Sequence, residues 1–297
     1  MNHTYEVEHG LGDWMAIEKT PLAISGRVFL VEALRAWAKL SFSDKEKATA
    51  TAMIRKELRE FEHRFLSNET GDISNNGSAS TQAGQAFSLY YNMISKAGLP
   101  RVSESLVRAV EKRKRHIATG MFGVLPLFEA LASINRMDLA WDIVTQTTYP
   151  SYGYMLENNA TTIWESWFLS NSTSSQAFAL SHNHPMFSGV ASWMLSHIGG
   201  VRIAKDAIGA DRIIFAPSSP VTSNLKHAST VLDTARGKAS CEWKCQTDGT
   251  MFIEIACPVN TRGVVVLPDG SAPKAIRGGR YRFRARAPLC QRLVSTF

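Results

Sequence analysis

The chain has 297 residues, room for one large domain or two of ordinary size, and its hydrophobic content of 44% suits a sizeable core. Its formal net charge is +7, no stretch reaches the ~18 apolar residues of a membrane span, and the opening "MNHTYEVEHG" lacks the basic and apolar regions of a signal peptide. Neither a membrane-spanning helix nor a secretory leader is therefore expected, and the compartment stays open.

In chain order, the first local signal is "HGLGDWM", which sets Asp13 and Trp14 on a glycine-flanked turn. From residue 20 to about 200 the pattern is helical. One stripe runs through Leu30, Leu34 and Trp37, a second through Ile54, Leu58, Phe61 and Phe65. Others run through Ala83, Phe87, Tyr90 and Ile94, and through Val124, Phe128, Leu131 and Ile134. Pro21 suits a first helical turn, and Ser43 with Glu46 predicts a capping box. The Gly-, Ser- and Asn-rich stretch 71–80 is a loop. Six or seven helices are expected. The basic run "EKRKRH" at 111–116 fits a helix C-terminus, where cations complement the dipole.

After about residue 205 the period becomes two. "SCEWKCQ" turns Cys241, Trp243 and Cys245 one way and Glu242, Lys244 and Gln246 the other. Asp248-Gly249 then predicts a hairpin turn into "MFIEIAC". "RIIFAP", "RGVVVLP" and "RYRFRAR" add strands, so the expectation is a small antiparallel β-sandwich. The domains are expected at 1–204 and 205–297. The basic excess lies late, in Arg277, Arg280, Arg282, Arg284, Arg286 and Arg292. Those from 280 to 286 alternate with Tyr281, Phe283 and Ala285, which favours a solvated strand face over nucleic-acid binding. Cys241 and Cys245 stand ~13 Å apart on one strand face, too far to bridge each other, and are expected as small core residues. Cys257 and Cys290 complete no metal-binding spacing.

Three polar–aromatic clusters stand outside the helical stripes: the Asp13–Trp14 turn, "TTIWESW" at 161–167, and "SHNHPMF" at 181–187. In the second, Glu165 lies between Trp164 and Trp167. Apolar rings suit a carboxyl used as an acid or base, and flat aromatic faces suit a sugar ring. The same residues also fit a paired glutamate buried under a tryptophan cluster. His182 and His184 are two apart, not the four of a zinc helix, so no metal is expected. No nucleotide- or dinucleotide-binding motif and no nucleophile elbow occurs, so no cofactor is expected.

Taken in order, "GDW", "TGMFGVLPLFEAL", "YPSYGYMLENNATTIWESW" and "HNHPMFSGVASWML" resemble family 78 glycoside hydrolases, the α-L-rhamnosidases. "RIIFAP" through "CPVNTRGVVVLP" resembles the β-sandwich that closes those proteins. The resemblance covers nearly the whole chain. It implies a mainly α fold, an (α/α)6 toroid followed by an antiparallel β-sandwich, and inverting hydrolysis of terminal α-L-rhamnose. By that resemblance Glu165 is the general base. Asp13, Trp14, Trp164, Trp167 and His184 belong to the sugar pocket.

The departure from the family is the general acid. It sits in an acidic loop upstream of the Gly-Asp-Trp turn, and here that turn is at 12–14. Glu6, Glu8 and Asp13 are near, but no motif supports any of them as a substitute. The toroid is expected to be incomplete, as in a fragment or truncated paralogue, and the activity of this chain alone is in question. The competing reading is a non-catalytic sugar- or partner-binding protein. The expected partner is a rhamnose-containing glycoside, with no nucleic acid and no membrane. Self-association is expected through helix faces left uncovered, the stripes at 54–65 and 124–134 being the candidates.

Overall fold

Proline at 21 and serine at 43 start the first two helices where the sequence places them. A computed structural model of the chain describes residues 10–75, 77–169, 180–219, 222 and 224–287. Glu6, Glu8, Cys290 and Arg292 lie outside the described residues. The α-helices are α1 (Leu22–Leu40), α2 (Asp44–Phe65), α3 (Gln82–Tyr90), α4 (Leu99–Lys112), α5 (Val124–Ser133), α6 (Met137–Val144), α7 (Tyr152–Glu157) and α8 (Gly189–Trp193). A 3-10 turn (Pro185–Ser188) precedes α8, and a π-helical turn (Met194–Ile198) follows it. Ser43 Oγ accepts the Glu46 N–H, but the Glu46 carboxylate takes the Ser41 hydroxyl, so only half of the capping box forms.

The chain divides into two compact units, Met1–Val190 and Ala191–Phe297. In the first, α1 and α2 form a hairpin, and α3 packs on α4 and α5. The residues of α3 from Gln82 to Leu89 are all buried, its polar members included. Gln82 shows how that is possible. Its side chain donates to His116 O and accepts from Ala118 N, so burial leaves neither end unpaired. The α1–α2 seam holds a buried ion pair, Arg27 with Glu57 at 2.7 Å, and Glu60 shares the guanidinium at 2.8 Å. Position 57 falls between the apolar members of the α2 stripe and the sequence gives no hint of its burial.

The stripes expected to be bare are mostly covered: Phe61, Phe65, Val124, Phe128 and Leu131 are buried, while Ile54, Leu58 and Ile134 are half-buried. Exposed apolar side chains among the described residues include Trp37, Leu40 and Phe42 at and just after the end of α1, with Leu11, Leu156, Ile208 and Val259 elsewhere.

Among its described residues the second unit holds two four-stranded sheets. One is ordered β3 (His227–Thr234), β4 (Gly237–Cys245), β5 (Thr250–Cys257), β8 (Gly279–Arg286), and every pairing in it is antiparallel. The other is ordered β1 (Val201–Ile203), β2 (Arg212–Phe215), β6 (Arg262–Val265), β7 (Lys274–Ile276). Its β2–β6 pair is parallel, because a long excursion through the first sheet separates them. Cys241, Trp243, Met251, Ile253 and Ile255 fill the core, and the Trp243 indole donates to Ile198 O. The arginines of β8 point outward: Arg282 meets Glu254 at 2.9 Å and Arg284 lies over the Phe252 ring. Cys241 and Cys257 are free and buried, as small core residues should be. Cys245 departs from that expectation, since it is disulfide-bonded.

Candidate active site

The Gly-Asp-Trp turn is fixed by its backbone before its side chains matter. Gly12 has φ +61°, in the left-handed region that glycine enters at no steric cost. The turn docks on residues 119–123, "TGMFG". Asp13 accepts from Gly120 N at 2.6 Å, Gly123 N at 2.9 Å and Phe122 N at 3.1 Å. These amides lead into α5, so the carboxylate sits where the helix dipole favours negative charge. Trp14 O accepts from Met121 N. A Cβ on Gly120 would lie 2.1 Å from Trp14 O, so only glycine permits this approach.

Asp13 is 7% exposed. Burial pushes its carboxyl up to about 6, against the downward pull of the three N–H donors. An aspartate raised in the folded state holds its proton between about pH 4 and 6 while the unfolded chain has lost it. The contribution to stability is therefore complete below pH 4 and falls as pH rises to about 6, by about 3 kcal/mol in all. Denaturant unfolding from pH 4 to 7 should show this decline in the wild type and not in Asp13→Asn. Parallel curves for the two would remove Asp13 as its source.

The "TTIWESW" segment is anchored next door. Trp167 is 0% exposed, and its indole N–H donates to Thr119 O at 2.8 Å. Tyr152 meets it edge-on at 5.1 Å and Phe187 packs against it at 4.4 Å. The Tyr152 hydroxyl, driven far up by burial, donates to Phe187 O. Trp167 thus offers no surface to a sugar, which corrects its expected place among the ligand contacts. Trp164 is 3% exposed and stacks on the exposed His182 ring at 5.1 Å, so only its rim is near solvent. Asp13 is enclosed likewise: both oxygens accept from backbone N–H groups.

Glu165 is half-buried, and two backbone bonds hold it against the 180–184 segment. Its N–H donates to Ser181 O at 2.8 Å, and Oε2 accepts Ser181 N–H at 2.9 Å. His184 N donates to Ile163 O at 2.7 Å, and the Thr162 hydroxyl donates to His182 O. The two sequence clusters are thereby one structural element. Oε1 of Glu165 makes no hydrogen bond among the described residues, which leaves an oriented carboxylate with an open oxygen. His184 is half-buried, with Nδ1 buried and unpartnered among the described residues.

Trp14 is 38% exposed; the hollow of about 330 Å³ on the same turn is lined by Leu11, Gly12, Leu22, Phe29 and Phe122, and Trp14 is not among its lining residues. Among the described residues no direct bond or ring contact joins Trp14 to Glu165 or His184. Their link is the 119–123 segment: Thr119 carries the Glu165 loop and Gly120 the Trp14 turn. Sequence reasoning missed Thr119, Gly120, Gly123 and Ser181 as site residues. The paired glycines of "TGMFG" ahead of a helix were the available signal.

Comparison with known proteins covers both units. A family model of the bacterial α-L-rhamnosidase six-hairpin glycosidase domain matches residues 2–198, and one of the bacterial α-L-rhamnosidase C-terminal domain matches 200–282. An α-L-rhamnosidase of Formosa agariphila is 26% identical over 261 residues, which is 85% of this chain and 27% of that protein. One of Streptomyces avermitilis is 25% identical over 298 residues, 92% of this chain and 28% of that protein. The crystal structure of native α-L-rhamnosidase from Aspergillus terreus matches with TM-score 0.82 and 26% identity, covering 93% of this chain and 33% of that one. The chain thus spans about a quarter to a third of the length of these relatives.

Proposed function

Because the chain belongs to the bacterial α-L-rhamnosidase six-hairpin glycosidase family, we propose that it supplies the water-activating side of an α-L-rhamnoside hydrolase. Glu165 is the base in this reading. Its open Oε1 takes a proton from water as the water oxygen attacks the anomeric carbon. The glycosidic C–O bond breaks, and the leaving oxygen collects its proton from a separate acid. In an inverting enzyme the two carboxyl groups stand ~6.5–9.5 Å apart to admit the water. Trp14 offers an aromatic wall to the apolar face of rhamnose, and His184 a hydrogen bond beside the base. The observation that supports the reading is the shared anchor at 119–123: Thr119 O accepts the indole N–H of Trp167, two residues from Glu165, and Gly120 N donates to Asp13, the neighbour of Trp14.

The test is binding of free L-rhamnose by saturation-transfer NMR. Wild type should bind weakly, and Trp14→Ala should bind roughly tenfold more weakly, the worth of one aromatic wall. Equal binding by both, or none by wild type at tens of millimolar, would remove the sugar pocket.

The exposed end of α1 carries a second expectation. Trp37, Leu40 and Phe42 are exposed apolar side chains within six residues of one another, and clustered apolar surface drives association. Sedimentation velocity should show self-association, shifted toward monomer in a Leu40→Glu, Phe42→Ser double variant. A monodisperse wild-type monomer would contradict it.

A further inference from the structure

The outer face of the β1–β2–β6–β7 sheet carries like charges side by side. Arg212 is paired across the strands with Arg262. Gly263 pairs with Ile276, the last residue of β7, and Arg277 follows just beyond the strand's end. The paired Arg212 and Arg262 thus form a row of like charge, and Arg277 lines the same cleft. Such a row is unfavourable, since like charges directly opposite repel. The β8 arginines of the same unit avoid it by facing Glu254 and the Phe252 ring.

The row is only partly neutralised. Arg212 meets Asp206 at 2.8 Å, while Asp211 stands 3.9 Å from Arg212 Nε and 3.7 Å from Arg262. Arg212 Nε is buried and finds no acceptor among the described residues, and Arg277 has no ion-pair partner among them. The next row of the same face is apolar: Ile214 pairs with Val264 and Val264 with Ala275. Both rows, with Tyr281, line a cleft of about 700 Å³, and the Tyr281 hydroxyl donates to Arg277 O.

We propose that this cleft binds a monoanionic sugar unit, a uronate or a sulfate ester, of a polysaccharide chain. Three guanidiniums line the cleft while Asp206 and Asp211 do not, and Arg236 also acts on Asp211, so the cleft keeps positive charge for an anionic group. Guanidinium N–H pairs suit a planar carboxylate or sulfate, and the Ile214–Val264–Ala275 floor suits the apolar face of a pyranose. The choice of a sugar among organic monoanions rests on the proposed rhamnoside reading.

The test uses the full chain and four probes in calorimetric titration: a glucuronate-containing disaccharide, a sulfated disaccharide, their neutral counterpart, and inorganic phosphate. One or both acidic sugars should bind, and whichever binds identifies the anion. The neutral sugar and phosphate should bind more weakly. Arg277→Ala and Arg262→Ala should each lower affinity about tenfold or more, as expected for a lost charge-assisted hydrogen bond. Arg277 is exposed beyond the end of β7, so its removal spares the sheet, and circular dichroism would verify this. Equal binding of neutral and acidic sugars would overturn the proposal, as would tighter phosphate binding or wild-type affinity in both variants. Trp14→Ala should leave this binding unchanged. Acidic-sugar binding without any rhamnose binding would sink the proposed function and leave the cleft standing.

Discussion

Replacing Glu165 by glutamine should abolish whatever turnover of an aryl α-L-rhamnoside the 297-residue chain shows. The amide has the shape of the carboxylate but cannot take a proton from water. General acid–base assistance is worth ~10²–10⁴-fold for each well-placed group. The proposed base, Glu165, is held through Oε2 by the Ser181 N–H, and Oε1 makes no hydrogen bond among the described residues. We propose that the acid lies outside the quarter to third of its relatives that this chain spans, so the 297 residues alone should lack the second factor. A nitrophenolate leaves with little help, whereas an alcohol or sugar needs protonation. The purified chain should therefore give at most a trace of nitrophenyl rhamnoside cleavage and none of a rhamnose disaccharide. Efficient disaccharide cleavage would show that an acid exists that the sequence comparison overlooks. A trace unchanged in Glu165→Gln would show that the base lies elsewhere.

The legible parts of this chain were those written in strong periods. "SCEWKCQ" alternates so strictly that Cys241 and Trp243 could be placed in the core, and Asp248-Gly249 marked the hairpin, where Asp248 accepts the Thr250 N–H. β3 escaped notice because it buries only Thr230, so its sequence lacks an apolar period. β1 and β7 are too short, at three residues each, to show one. The helices followed their stripes, but Glu57 did not. A buried charge is invisible in a pattern of apolar residues when its partner, Arg27, lies on another helix. At the candidate site, aromatic and charged residue types drew attention to Trp14 and Glu165. What they could not tell was direction. Trp167 and Asp13 look like ligand contacts in sequence, yet one faces Thr119 O and the other three backbone amides. Residue type announces chemistry, whereas the long-range backbone partner decides whether that chemistry faces solvent or structure.

Gly120 tests that argument most severely, because it carries no chemistry at all. A methyl group there would meet Trp14 O at 2.1 Å, Asp13 O at 2.6 Å and Ala16 N at 2.8 Å. All three are backbone atoms, so no rotamer change can relieve the overlap. In Gly120→Ala the Gly-Asp-Trp turn must lift from the 119–123 segment. The lifted turn forfeits the bonds from Gly120, Phe122 and Gly123 to Asp13 and that from Met121 to Trp14 O. Overpacking of this kind costs about 1–3 kcal/mol, and losing even one charge-assisted hydrogen bond about 1.5–3 more, so a loss of at least about 3 kcal/mol is expected. Asp13→Asn keeps the shape and should cost less. Urea unfolding would measure the loss, and rhamnose binding should fall with it because Trp14 moves with the turn. The buried α3–α5 contact does not depend on the turn, so far-UV circular dichroism should stay near wild type. Wild-type stability and rhamnose affinity in Gly120→Ala would show that the turn is not held on 119–123, and the link between Trp14 and Glu165 would go with it.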